Sequence, residues 1–215
     1  MSLKRLDTQF REEIRAELSA EIKDINREFL RLLTHPDTRG APEVLGMDAG
    51  ILEGLCRLNP DELELISSAP LLLVEFSPLP GITEIRDAPE RRIQNMALGE
   101  VWQAELQSFA NLLLTCIWQT SRRDRLLTAL FVGIDNERCH ALSTLSFSRI
   151  SQCSRQAADL LRVRLVQHPR FWADLIRLAR NGSGSQQIAS RLSVIQLSIA
   201  QQWPARSADN EPRYL

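Results

Sequence analysis

The chain has 215 residues, 44% of them hydrophobic and 25% charged, with four cysteines and a net charge of −1. This is enough for one large or two small domains with real cores and is typical of globular proteins. It excludes a chain built on membrane spans, since no window approaches about eighteen uninterrupted apolar residues, and it excludes strong overall attraction to a polyanion. The N-terminus has no apolar run after its basic residues, so no secretory signal is read and a cytoplasmic location is expected. Cys56, Cys116, Cys139 and Cys153 are scattered and form no C-x-x-C pair, which suits reduced, buried thiols better than disulfides or zinc.

Helical periodicity dominates from the start. Phe10, Ile14, Leu18, Ile22, Ile25, Phe29 and Leu33 step by three or four, giving a long helix one apolar face. Asn59-Pro60-Asp61-Glu62 is a helix start: Asn caps, Pro suits the first helical position and the acids face the positive end of the dipole. Leu71–Phe76 reads as a strand. Residues 77–97 hold Pro78, Pro80, Gly81 and Pro89 and read as a linker. Leu98, Val101, Trp102, Leu106, Phe109, Leu113, Cys116 and Ile117 mark a second long helix, and Ser146 stands where a later helix needs a cap. Leu160–Val166 is a strand-like segment in which Arg162 and Arg164 alternate with apolar residues. Phe171, Trp172, Leu175, Ile176 and Ala179 give a further helix that stops at Asn181–Ser185. Ile188, Leu192, Ile195 and Ile199 give another, ending at Trp203-Pro204. These two predict a C-terminal helical hairpin over 167–203, followed by a polar, disordered tail over 204–215.

The order of punctuation repeats. Sliding the sequence by 87 residues sets Val44–Leu58 on Phe131–Leu145, with Gly46 on Gly133, Asp48 on Asp135 and Leu55 on Leu142. Asp37 then meets Asp124, Leu63 meets Ile150 and Ser67 meets Ser154. The two strand-like segments meet if a residue or two is inserted in the second copy. Gly46 and Gly133 are expected to end a helix in the left-handed conformation, Met47 and Ile134 to plug the corner, and Asp48 and Asp135 to cap the next helix. The expectation is a duplication. Its halves would pack through their long helices about a pseudo-two-fold axis.

Ala129 to Gly133 also carries the small-x-x-x-glycine spacing of a helix-turn-helix corner. The wider stretch Ala110–Ile150 resembles the FlhD family of flagellar transcriptional regulators. The resemblance lies in the leucine-rich helix at Leu112–Leu114, the charged turn at Arg122–Asp124, Thr128–Phe131, the corner Gly133-Ile134-Asp135, and Leu142, Leu145 and Ser146. Glu21–Leu33 and Leu45–Leu63 resemble the same pattern, with Asp24-Ile25-Asn26 similar to the family's opening. The resemblance covers about half of the chain and implies an all-α fold: two FlhD-like repeats forming a covalent pseudo-dimer, over 1–76, with an N-terminal helical extension, and 98–166. The cysteine that some members carry in the strand-like segment is missing from both copies here. The N-terminal twenty residues and the C-terminal hairpin have no counterpart in the family. The resemblance further implies a regulatory subunit, not an enzyme, working with a protein partner such as an FlhC-like regulator.

Charge divides the halves. Residues 1–100 carry 12 basic and 19 acidic side chains, a net of −7, and residues 101–215 carry 14 and 8, a net of +6. Arg122, Arg123 and Arg125 precede the second corner, and Arg138, Arg149 and Arg155 follow it. Asn136, Arg138 and His140 lie early in the helix that would enter a DNA groove. These eight residues are the candidate DNA- or partner-binding set. A solvated arginine face and a surface for the acidic half of another copy, in a homo-oligomer, are the other readings of the same charges. The corresponding helix of the first half, from Asp48 to Glu53, is acidic and apolar and suits packing. Adjacent Cys139 and His140 point about 100° apart on a helix and do not reach one ion together. No phosphate loop or nucleophile motif is present, so no catalytic residue, metal or cofactor is expected. A regulator and a helical adaptor of a motility or secretion system that never meets DNA both fit.

Overall fold

The computed structural model describes residues 3–35, 45–76, 100–168 and 170–182, and the side chains among them from residue 12 onward except those of 155 and 156. Within these residues the chain is mostly helical, with one small sheet. The order is α1 (Leu3–Leu33), α2 (Ala49–Cys56), α3 (Pro60–Ser67), β1 (Val74–Phe76), α4 (Glu100–Arg123), α5 (Arg125–Val132), α6 (Asn136–Ser143) and α7 (Phe147–Ala157). A 3₁₀ turn (Ala158–Leu160), β2 (Leu161–Val163) and α8 (Phe171–Asn181) follow. The expected linker, the second helix of the C-terminal hairpin and the tail lie outside the described residues. The helical fold that was expected is present, and parts of the two strand-like segments, β1 and β2, pair antiparallel in a small two-stranded sheet.

The helix boundaries follow local chemistry. Gly46 and Gly133 have φ of 72° and 80°, the left-handed conformation that ends a helix without a Cβ penalty. Asp48 accepts hydrogen bonds from the backbone N–H of Gly50 and Ile51, at 2.8 and 3.2 Å, and Asp135 accepts one from Arg138 at 2.7 Å. Met47 and Ile134 are buried beside these caps. Asn59 and Glu62 form a reciprocal capping box around Pro60, and Ser146 caps α7. Asp124 breaks α4 from α5 by capping Leu127 at 3.0 Å.

The core forms where α1 and α4 lie antiparallel. Trp102 donates to the Leu32 carbonyl, Phe29 stacks on Phe109 with centroids 5.6 Å apart, and Arg123 reaches Glu17 at 3.4 Å, so contacts descend one helix as they climb the other. Phe29, Leu30, Leu32, Leu33, Trp102, Leu106 and Leu113 are all buried, each worth about 1.5–3 kcal/mol in apolar burial. Val101, read as part of the apolar face of α4, is instead 63% exposed.

Asn26, fully buried on α1, clamps the segment leading into β1. Its amide donates to the Leu71 carbonyl at 2.9 Å and the Ser67 carbonyl at 3.3 Å, and its oxygen accepts from Leu73 N–H at 2.9 Å. The strand register is Val74↔Val163, Glu75↔Arg162 and Phe76↔Leu161. Each strand starts 87 residues from the other, the same offset as α2 from α6 and as Gly46 from Gly133. The insertion expected between the two segments is therefore not needed. After β2, Arg164 N–H donates to the Leu73 carbonyl at 2.9 Å, and Trp172 donates to the Arg164 carbonyl at 2.9 Å. These bonds, together with the burial of Leu165 in the core, hold that residue at φ 62°, a strained conformation for a branched side chain.

Candidate functional site

The site forms where α4 ends, α5 begins and α6 passes beside both. Ser121, Arg122 and Arg123 close α4, Arg125 opens α5, and His140 and Ser143 come from α6; together they line one depression of about 360 Å³. The Asp124 cap brings this about, because it turns the chain within one residue and leaves arginines on both sides of the break.

Four of the eight candidate residues thus come together: Arg122, Arg123, Arg125 and His140. Arg122 lies over the Trp118 ring, 5.2 Å from its centroid, a cation–π contact. Arg123 is held by Glu17 at 3.4 Å and Glu21 at 3.9 Å, both on α1. Arg125 Nη1 lies 2.8 Å from His140 Nδ1. A guanidinium only donates, so Nδ1 is the acceptor of this contact. The other four stand apart from the depression's lining. Asn136 is exposed in the first turn of α6, Arg138 pairs with Asp135 at 3.2 Å, and Arg149 on α7 reaches Gln152 at 3.4 Å. Arg155 lies on α7, and its side chain is outside the described set.

Several features of this surface were not singled out in the sequence. Ser121 is 1% exposed, and its hydroxyl meets no nitrogen or oxygen partner among the described residues; its neighbour is the Cys139 thiol. Phe147 is 63% exposed and packs against Trp118, with centroids 6.0 Å apart, and Leu126 is 72% exposed. Exposed apolar groups beside arginines are the composition of a protein-contact surface. No local signal marks them, since each lies where a helix face would conventionally be buried or solvated.

A second basic group is structural. Arg164 is 1% exposed, donates to the Phe131 carbonyl at 3.0 Å and the Leu72 carbonyl at 3.4 Å, and sits 3.9 Å from Glu75. Burial lowers its guanidinium to about 10, offset by the charge of Glu75. Burial in turn raises the Glu75 carboxyl above the ordinary carboxylate range, with Arg164 opposing the shift.

Burial first, then the nearby Glu21 carboxylate, pushes the Cys116 thiol up to about 12, and burial pushes Cys139 to about 11. None of these is a poised nucleophile. Among the described residues no group of three His, Cys, Asp or Glu side chains is placed to hold a metal ion, and no helix is long and apolar enough to cross a membrane. Compared with protein-family models, curated proteins and solved structures, the chain matches none of them.

Proposed function

We propose that the protein is a non-catalytic regulatory subunit of the FlhD-like kind, a covalent pseudo-dimer that works through a protein partner engaged by its second half. The observation that carries this reading is the strand register. With an offset of 87, Glu75 corresponds to Arg162, and these two residues face each other. Val74 corresponds to Leu161 and Phe76 to Val163, so the pair Val74↔Val163 maps onto the pair Leu161↔Phe76. A contact that maps onto itself when the copies are exchanged is what a two-fold axis demands. The paired left-handed glycines, paired aspartate caps and antiparallel long helices support the same reading.

The halves then differ in what they present. The first half covers α2 and α3 with α8: Ile176 packs where a Cβ on Gly54 would be, and Arg180 donates to the Gly54 carbonyl. The second half presents the arginine depression, with Leu126 and Phe147 exposed. The exposed apolar groups favour a protein partner, an FlhC-like regulator or another. Arg123 and Arg138 are already paired with the carboxylates of Glu17 and Asp135, so few arginines are left to follow the successive phosphates of a duplex backbone.

Direct DNA contact by the protein alone is accordingly weak, with affinity in the non-specific range of roughly 10⁻⁴–10⁻⁶ M. The test is a titration of purified protein with promoter fragments at physiological salt, with and without proteins that co-purify with it. Sequence-selective binding only with a partner supports the regulator reading. Tight selective binding by the protein alone contradicts it, and partner capture without DNA binding under any condition favours an adaptor.

A further inference from the structure

We infer that the depression lined by Ser121, Arg122, Arg123, Arg125, His140 and Ser143 binds a phosphate-class dianion, a phosphate monoester or diphosphate group. The inference rests on the reading of the second half as the half that meets other molecules, and it gives that surface a ligand of defined chemistry.

Three guanidiniums, one imidazole and two hydroxyls line the depression, and no carboxylate is among its six lining residues. The guanidiniums and the imidazole can donate to an anion, while the Ser143 hydroxyl already donates to the His140 carbonyl at 2.7 Å. Arg125 is held by a neutral acceptor, the Nδ1 lone pair of His140 at 2.8 Å. A phosphate oxygen is a stronger acceptor for a guanidinium than a neutral ring nitrogen, because the bond becomes charge-assisted. The anion thus takes over Arg125. Arg122 rests on the Trp118 ring, a contact that leaves its N–H edge available to an anion. Arg123 is fixed from the other side by Glu17 and Glu21, which orders its guanidinium and weakens its net pull.

Ser121 belongs to the wall of the depression. Its side chain is buried against the Cys139 thiol, its hydrogen-bond partner, beneath the arginines. A phosphate bound among the arginines presents its oxygens to their N–H groups. A terminal phosphate carries three such oxygens and two charges, which matches converging arginines better than the singly charged diester of a nucleic-acid backbone. The depression, about 360 Å³ and open to solvent, has room for a phosphate group.

The test is calorimetric titration of the full chain with pyrophosphate at low ionic strength, where screening is weakest, alongside sulfate and a short DNA duplex. Saturable pyrophosphate binding is expected, stronger than that of sulfate. R125A should weaken it about tenfold or more, as loss of a charge-assisted bond implies, and S121A should weaken it less. R177A, on α8 and paired with Asp174, should leave it unchanged. If R125A fails to fold, R125K keeps the charge, loses the planar fork and should still bind more weakly. Absent binding, equal binding of sulfate, or equal loss in R177A would overturn the inference. Duplex binding without pyrophosphate binding would overturn it too, while partner capture, measured separately, reports on the underlying reading of this half.

Discussion

The Arg164 guanidinium fills the space that a side chain at position 133 would need. A Cβ built on Gly133 lands on that guanidinium, whereas one built on Gly46 meets only Arg162 Cδ at 3.7 Å. The two corners share a backbone conformation and differ in what packs against them. G46A should therefore lose only the left-handed preference, about 1–2 kcal/mol. G133A should lose more, by a further 1–3 kcal/mol or so of overpacking. Denaturant unfolding of both variants checks the order, and the gap should shrink when Arg164 is shortened to Met, because the two sites are in contact.

Asn26 makes three hydrogen bonds from a fully buried position, to the Leu71 and Ser67 carbonyls and from Leu73 N–H. N26A strands buried backbone groups on the strand that leads to the sheet. Unfolding measurements should show a loss of about 2–4 kcal/mol. N26D should also destabilise, since a carboxylate cannot donate to the two carbonyls.

Arg27 contacts Glu64 through two bonds of 2.9 and 2.8 Å, and Lys23 adds a third at 2.7 Å. The hydrogen bonds from Arg27 and then Lys23 lower the Glu64 carboxyl from 4.5 to about 2. A carboxyl whose folded value is depressed contributes stability above its unfolded value and loses it as pH falls toward the folded one. The melting-temperature difference between wild type and E64Q should therefore narrow as pH drops from about 4.5 to about 2. It should narrow with salt as well, because the groups are partly exposed.

Burial raises the thiols of Cys116, Cys139 and Cys153 above the ordinary cysteine value, while Cys56 is exposed. Alkylation of the native protein at mildly alkaline pH should modify Cys56 first and alone. All four cysteines should react once the chain is unfolded. Rapid labelling of Cys139 in the native state would contradict the described packing.

Local chemistry made part of this molecule legible in the sequence. Gly46, Asp48, Gly133, Asp135, Asn59 and Ser146 act through bonds within a few residues, so their identity and spacing carry their roles. The apolar stripe of α1 was legible for the same reason. Arg164 was not: alternation with apolar residues suggests a solvated face, and its burial depends on Leu72, Glu75 and Phe131, all distant in sequence. The grouping of Arg122, Arg123, Arg125 and His140 was suggested by proximity to the corner. Separation of Arg138 and Arg149 from that group depends on which way α6 and α7 face. Pairing of Arg123 with Glu17 crosses between the halves, and no local pattern announces it.

The pairing of Glu75 with Arg162 is the most direct point at which to test the two-fold arrangement. Directly opposed residues on antiparallel strands have Cα atoms about 4.5–5.5 Å apart, within reach of a disulfide. Oxidation of E75C/R162C should give an intramolecular disulfide, resolved by non-reducing mass mapping. V74C/L161C joins corresponding positions that stand one step to either side of that centre, and it should remain reduced under the same conditions. A disulfide in V74C/L161C and none in E75C/R162C would place the centre of the register elsewhere and contradict the pairing of the two halves as equivalent copies.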